Sequence, residues 1–388
     1  MDREKAIKYM HDMLRMLKTR DGSDLYITAG AAPAMKIHGK ITPVTDQKLM
    51  PGHTQMLARS IMNDKQAAEF EASNECNFAI SLPGVSRFRV NTYVQRSSVA
   101  MVVRLISNHI PSFEDLNLPD ILRDVAMTKR GLVILVGGTG AGKSTTLASM
   151  IDLRNERGSG HIISIEDPVE FIHQHKGCLI SQREVGTDTE SFAIALKNSL
   201  RQAPDVILIG EIRDQQTMEH AITFAETGHL CLATLHANNT NQALDRIINF
   251  FPEERRQQLL LDLSLNLRAL ISQRLLRTID GEGRRAAIEI LLNSPLMSDL
   301  ILKGEVHEMK DLMKKSNEAG MKTFDQALFD LVEEDAISID EAMRNADSVN
   351  DLRLRIKLES KHGRDPELNS YSDLSMQDNG DDDSGMVR

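Results

Sequence analysis

Between Leu132 and Thr145 the chain reads LVILVGGTGAGKST. Leu132 to Val136 form an apolar run that suits a buried strand, and Thr145 to Ile151 take helical spacing. Between them Gly137, Gly138, Thr139, Gly140, Ala141, Gly142, Lys143 and Ser144 form the pattern G-x-x-x-x-G-K-S. Strand, glycine loop and helix in this order commit the region to an α/β fold with a loop built to hold phosphate. Gly137, Gly140 and Gly142 let the chain curl with its amides inward, at φ values that a Cβ obstructs. The following helix adds unpaired N–H groups and the positive end of its dipole. The spacing predicts that Lys143 reaches the β- and γ-phosphates of ATP and that the Ser144 hydroxyl ligates Mg²⁺. Thr145 completes the set in the helix's first turn.

The 388 residues suffice for two or three domains. The net charge is −10, and half of it sits in residues 359–388, with eight acids against three Lys/Arg. An acidic balance and sparse aromatics disfavour a nucleic-acid surface. Cys76, Cys178 and Cys231 form no C-x-x-C pair, which excludes a paired-cysteine zinc knuckle and fits a reducing compartment. The opening MDREKAIKYM lacks the apolar stretch of a secretory signal, and no apolar run reaches the ~18–20 residues of a membrane span. The expectation is a soluble, cytoplasmic protein without a transmembrane segment.

Along the chain, residues 3–19 read as an amphipathic helix with Ile7, Met10, Leu14 and Leu17 on one face. A strand-like DLYITA and short extended segments around MKIHGKITPV follow, then helical spacing over 54–71. SRFRVNTYVQRSSVAMVVRLI, residues 86–106, alternates as two antiparallel strands. Arg87, Arg89, Arg96 and Arg104 lie in them, either as a solvated face or as groups that sense phosphate charge. Residues 108–125, with Pro111 and Pro119, read as a linker. A strand over Ile162–Ile165 ends in Glu166, Asp167 and Glu170, where open α/β sheets place ligands. Ser191 to Arg201 read as a helix. Val206 to Ile209, then Gly210 and Glu211, give the apolar strand ending in a carboxylate that holds Mg²⁺ through water or polarises the attacking water. His229 and His236 flank a strand at Leu230–Leu235, as structural hydrogen-bonders or as γ-phosphate sensors. From Pro252 the pattern is helical, with Leu260, Leu263, Leu267 and Leu270 at steps of three and four. Short helices over 296–345 are broken at Gly304 and Gly320. From Glu359 the composition turns to Ser, Asp, Asn and Gly, as in a disordered acidic tail.

Leu200, Arg201, Pro204, Asp205, Gly210, Glu211, Ile212, Arg213, Asp214 and Thr217 match, in spacing, the signature of the secretion ATPases of type II secretion and type IV pili. IEDPVEF resembles their Asp box and ETGHL…TLHANN their His box. SDLYI and SRFRVN resemble the N-terminal PAS-like domain of the twitching-motility ATPases, the PilT/PilU group. The chain is most similar to the PilU branch. PLMSDLILKGE (Pro295 to Glu305) replaces the AIRNLIRE helix of PilT, and an extension begins near SVNDLRLRIKLES. The paired C-x-x-C zinc site of pilus-extension motors is absent.

The resemblance implies a PAS-like α+β domain over 1–108, a linker over 109–125 and a RecA-like P-loop core over 126–293. A C-terminal helical region over 294–358 and a disordered acidic tail over 359–388 complete the chain. It implies a hexamer that hydrolyses ATP with Mg²⁺ and serves as accessory retraction ATPase. The partners it implies are a PilT-like primary motor and an inner-membrane platform protein, at which the chain would sit peripherally. Glu170 is then the general base, Glu211 the acid beside Mg²⁺ and its water-mediated ligand, and His229 and His236 the coupling residues. Arg87, Arg89 and Arg104 are candidate charge-sensing arginines. The alternatives are a nucleotide-binding adaptor with secondary hydrolysis and, less favoured, a nucleic-acid motor.

Overall fold

The structure, a computed structural model, describes residues 2–363 except His38 and Asn108. The acidic tail lies, from residue 364 onward, outside the described residues. In chain order the first elements are α1 (Arg3–Thr19), β1 (Gly22–Ile27), β2 (Ala34–Ile37), β3 (Lys40–Pro43), α2 (Pro51–Ser60), α3 (Asp64–Ser73), β4 (Glu75–Leu82), β5 (Ser86–Gln95) and β6 (Ser98–Leu105). Next come α4 (Ile121–Ala126), β7 (Gly131–Val136), α5 (Lys143–Arg157), β8 (Gly160–Glu166), β9 (Cys178–Glu184), α6 (Phe192–Ser199), β10 (Val206–Ile209), α7 (Gln215–Glu226), β11 (Leu230–Leu235), α8 (Thr240–Asn249) and α9 (Glu253–Asn266). The chain continues through β12 (Leu267–Arg277), β13 (Arg284–Leu292), α10 (Pro295–Lys303), α11 (Met309–Lys315), α12 (Phe324–Glu333), α13 (Ile339–Asn345) and α14 (Val349–Glu359). Two compact units divide these elements: Met1–Pro111 with Ile151–Gly210, and Ser112–Met150 with Glu211–Arg388.

The first unit contains an antiparallel sheet in the order β3-β2-β1-β6-β5-β4. Strict alternation along β5 buries Ser86, Phe88, Val90 and Thr92 and turns Arg87, Arg89, Asn91 and Tyr93 outward. Helix α1 covers the buried face with Ala6, Met10, Met13, Leu14 and Leu17, which join Leu25, Phe88 and Met101 in one core. The helical spacing over 54–71 resolves into two helices. The Asn63 side chain accepts from Gln66 N at 2.9 Å, and Gln66 Oε1 accepts from Asn63 N at 2.9 Å, so a reciprocal cap restarts the chain as α3. In the same unit β10, β8 and β9 run parallel, in that order.

The second unit holds four strands in the order β13-β12-β7-β11. Strands β7 and β11 are parallel, in register from Leu230↔Gly131 to Leu235↔Val136, and every residue of both is buried. Burial on both faces explains their unbroken apolar runs. The helical pattern expected from Pro252 ends at Asn266. Leu267 and Leu270 belong instead to β12, which pairs antiparallel with β13 and parallel with β7. Both faces of β12 are largely buried, so its apolar residues fall on both faces and can mimic helical steps. Beyond β13 the helices expected over 296–345 are present. Phe324, Leu328, Val332 and Met343 pack there with Leu352 and Ile356 of α14. No helix among the described residues is long and apolar enough to cross a membrane.

Candidate nucleotide site

The glycine loop joins Val136 of β7 to Lys143, the first residue of α5. Gly137, Gly140 and Gly142 take φ values of 155°, 79° and 88°. Two of them are also pinned by space. A Cβ on Gly137 would stand 2.7 Å from the Gln273 carbonyl oxygen, and one on Gly142 would stand 2.6 Å from Gln273 Nε2. Strand β12 therefore supports the loop from beneath. The Gln273 side chain is buried and its Oε1 accepts from Thr146 Oγ1 at 2.8 Å, joining α5 to β12. Gln273 was not among the expected site residues. Its signal was an amide between the apolar pairs of LISQRLL.

The Lys143 ammonium is held over the loop, donating to the carbonyls of Gly137 at 2.7 Å and Gly138 at 3.0 Å. Burial pulls its pKa below the usual lysine value, and the negative charge of Glu211 works against that pull. Glu211 follows Gly210 at the end of β10. One carboxylate oxygen accepts from Arg213 Nε at 2.8 Å, and the other stands 3.3 Å from His236 Nε2. Burial, and then the Lys143 charge, lower the His236 pKa, while Glu211 raises it. His236 and Gly138 also border a cleft of about 720 Å³ lined by Asn238, Gln242 and Arg246.

His229 is elsewhere. The parallel register puts His236 after Leu235, at the loop end of β11, and His229 before Leu230, at the far end. The six residues of β11 lie between the two, which sets them about 23 Å apart along an extended strand. His229 Nδ1 lies 3.0 Å from Thr227 Oγ1 and 3.2 Å from the Phe224 carbonyl, where it finishes the turn after α7. The two histidines flank the strand as its sequence suggests, and within a single chain His236 is the one at the loop end.

In the other unit, Glu166 ends β8 and is gripped by Ser164 Oγ at 2.6 Å and Gln182 Nε2 at 3.3 Å. Burial raises its pKa. Glu170 is exposed, four residues on. Arg104 Nε donates to Asp24 at 2.8 Å, a contact that raises the arginine's pKa, with Glu170 adding to the effect. Arg89 sits directly across from Arg104 on the neighbouring strand. Arg87 Nη2 lies 3.7 Å from Glu184 and 3.8 Å from Asp188. Glu184 was not expected. It ends β9 and also accepts from Val169 N at 3.3 Å, beside Glu170.

Two signature residues have structural tasks that explain their spacing. Asp205 accepts from His161 N at 2.8 Å at the start of β8. Asp214 accepts from Thr217 N at 2.8 Å and caps α7, which is why the two are three residues apart.

The residues present suit Mg²⁺ carried by a nucleotide. Ser144 offers a hydroxyl in the first turn of α5 and Glu211 a carboxylate, both hard oxygen donors. Among the described residues there is no group of three or more His, Cys, Asp or Glu able to cage a metal alone. Magnesium usually takes one or two protein oxygens, with phosphate and water completing its shell.

A glycine loop on a buried parallel strand, a lysine at its rim and a carboxylate facing that lysine define a P-loop nucleotide-binding protein. The chain belongs to the type II/IV secretion system protein family, whose pattern matches residues 1–344. It is 57% identical to the Type IV pilus ATPase PilU of Pseudomonas aeruginosa over 373 residues, covering 96% of this chain and 98% of that protein. The Type IV pilus retractation ATPase PilT of the same organism is 39% identical over 86% of this chain and 97% of its own length. The crystal structure of the pilus retraction motor PilT with bound ADP superposes with a TM-score of 0.83 at 40% identity, covering 88% of this chain and 98% of that one.

Proposed function

We infer that the chain is an ATP-hydrolysing motor of type IV pilus retraction, acting as an accessory to a PilT-type primary motor. The observation that carries this reading is the match along nearly the whole chain to a protein described as Type IV pilus ATPase PilU. The motor PilT was solved with ADP, and the loop from Gly137 to Thr145 offers the same nucleotide a ring of backbone amides and Lys143.

In this reading the antiparallel sheet of the first unit is the PAS-like domain and the strands around β7 belong to a RecA-like core. Six copies form a ring that works peripherally at the inner membrane against a platform protein. Lys143 neutralises the β- and γ-phosphates. Ser144 and Glu211 would hold Mg²⁺, Glu211 by way of water, and the ion would supply charge neutralisation on the phosphates. Glu170 takes the proton of the attacking water, and His236, linked to Glu211, responds to loss of the γ-phosphate. Arg87, Arg89 and Arg104 answer to the same charge, and His229 supports the turn that feeds β11. Lys143→Ala abolishes turnover, whereas Glu170→Gln binds ATP without hydrolysing it. Normal turnover in Lys143→Ala sinks the reading. Retraction in cells that carry this chain but lack a PilT-type motor overturns the accessory role alone.

A nucleotide-binding adaptor is the second reading, favoured by helix α10, which reads PLMSDLILK. Negligible ATP turnover by the purified full chain would support it.

A further inference from the structure

Strand β12 carries a second set of contacts on the face opposite Gln273. Ser272 and Arg274 both point at the segment that follows His236. Arg274 Nη2 donates to the Asn238 carbonyl at 3.0 Å, and Ser272 Oγ lies 3.5 Å from the same oxygen. Glu289, opposite Ser272 on β13, accepts from Thr240 N at 2.8 Å. Between these anchors Asn239 caps α8, accepting from Gln242 N at 2.9 Å. The backbone just beyond His236 is thus held at Asn238 and Thr240 from a single sheet face.

The Arg274 guanidinium also reaches the other way. It bonds Asp347 Oδ1 at 2.7 Å, donates to the Asn345 carbonyl and lies 3.9 Å over the Phe324 ring. Asp347 is paired with Lys310 of α11 as well. Asp325 of α12 accepts from the backbone N–H groups of Asp347 at 2.8 Å and Ser348 at 3.1 Å. The link between α13 and α14 is therefore tied to α11 and α12, and through one side chain to the segment beside His236. Asn345 and Asp347 lie just past residue 344, where the family match ends, and α14 follows directly. A planar fork with several fixed donors can serve both ends at once, which a lysine's point charge does not reproduce.

We propose that Arg274 is a positioning residue that transmits the placement of the Asn345–Ser348 link to the His236–Asn238 segment, so that events at the C-terminal helices set the rate of ATP turnover. The proposal rests on the reading of His236 as the residue that responds to the γ-phosphate. Coupling between separate sites requires an element that both of them bias, and the β12 face with its bonded backbone is that element.

The test is steady-state ATP turnover by the purified full chain. Arg274→Lys and, from the far end, Asp347→Asn are each expected to lower kcat about fivefold, with KM for ATP within about twofold. A global packing defect instead lowers the melting temperature and the amount of active protein. The decisive readout is a double-mutant cycle with His236→Ala. Once the histidine is gone, Arg274→Lys and Asp347→Asn are expected to cause no further loss. The same fractional loss in that background overturns the relay and leaves the His236 reading intact. An unchanged kcat in His236→Ala alone overturns both.

Discussion

His236 Nε2 stands 3.3 Å from Glu211 Oε1, at the end of β11 that abuts the glycine loop. Burial, and then the Lys143 charge, disfavour the charged imidazole, while Glu211 favours it. The second carboxylate oxygen is engaged by Arg213 at 2.8 Å, which fixes the orientation of Glu211.

The pair makes a titration prediction. In an NMR titration, His236 protonates below the ordinary histidine value of 6.5. Glu211 is the nearest group that favours the charged ring. In Glu211→Gln the midpoint moves further to acid, because burial and Lys143 then act unopposed. A midpoint that stays in place separates the two side chains in solution.

Gln273 is expected to matter for both stability and nucleotide. Gln273→Ala leaves the Thr146 hydroxyl, 1% exposed, without the 2.8 Å acceptor it has now. A buried hydroxyl stripped of its partner costs about 1–3 kcal/mol, read as a lower melting temperature. The loop also loses its support under Gly142, so ADP affinity falls in calorimetry while the protein stays folded.

The glycine loop, β7, β10 and β11 were legible because their signals are local. A short apolar run and a fixed glycine spacing each lie within a few residues, and Val206–Ile209 and Leu230–Leu235 are strands over the same residues. Gln273 and Glu184 were not legible, since each meets its partners through sheet neighbours remote in sequence. The strand β12 was misread because burial on both faces removes the period-two pattern that separates strand from helix. His229 and His236 show the limit of symmetric spacing. Two histidines at either end of one strand look equivalent in sequence, while a parallel sheet gives its two ends different tasks.

Gly142→Ala is expected to weaken nucleotide binding by more than Gln273→Ala does. The new Cβ meets Gln273 Nε2 at 2.6 Å and Leu275 Cδ1 at 3.3 Å, and the φ of 88° is strained for alanine. The contact with the amide end of Gln273 is the part that yields. Gly142→Ala combined with Gln273→Ala therefore loses less affinity than the two single losses added together. It does not return to wild type, because the backbone strain of about 1–2 kcal/mol remains. Strict additivity in ADP binding would place the two residues out of contact.

Glu289 gives the chain a pH dependence with a definite sign. Its carboxyl is fully buried, Oε2 accepts from Thr240 N, and Oε1 has no hydrogen-bond partner among the described residues. Burial raises the pKa from 4.5 to about 7, against the opposing pull of the Thr240 N–H and Lys310. A carboxyl whose folded pKa exceeds its unfolded one holds its proton longer in the native state. This group's contribution is then most favourable below pH 4.5 and is lost as pH rises toward 7, by up to about 3 kcal/mol. Glu289→Gln keeps an acceptor for Thr240 and removes the titration. Its melting temperature should match wild type near pH 5 and exceed it near pH 8. Other titrating groups, such as buried His173 with its pKa lowered to about 4, are common to both proteins and cancel in the difference. Parallel melting curves for the two proteins across pH 5–8 would show that Glu289 holds one protonation state throughout that range.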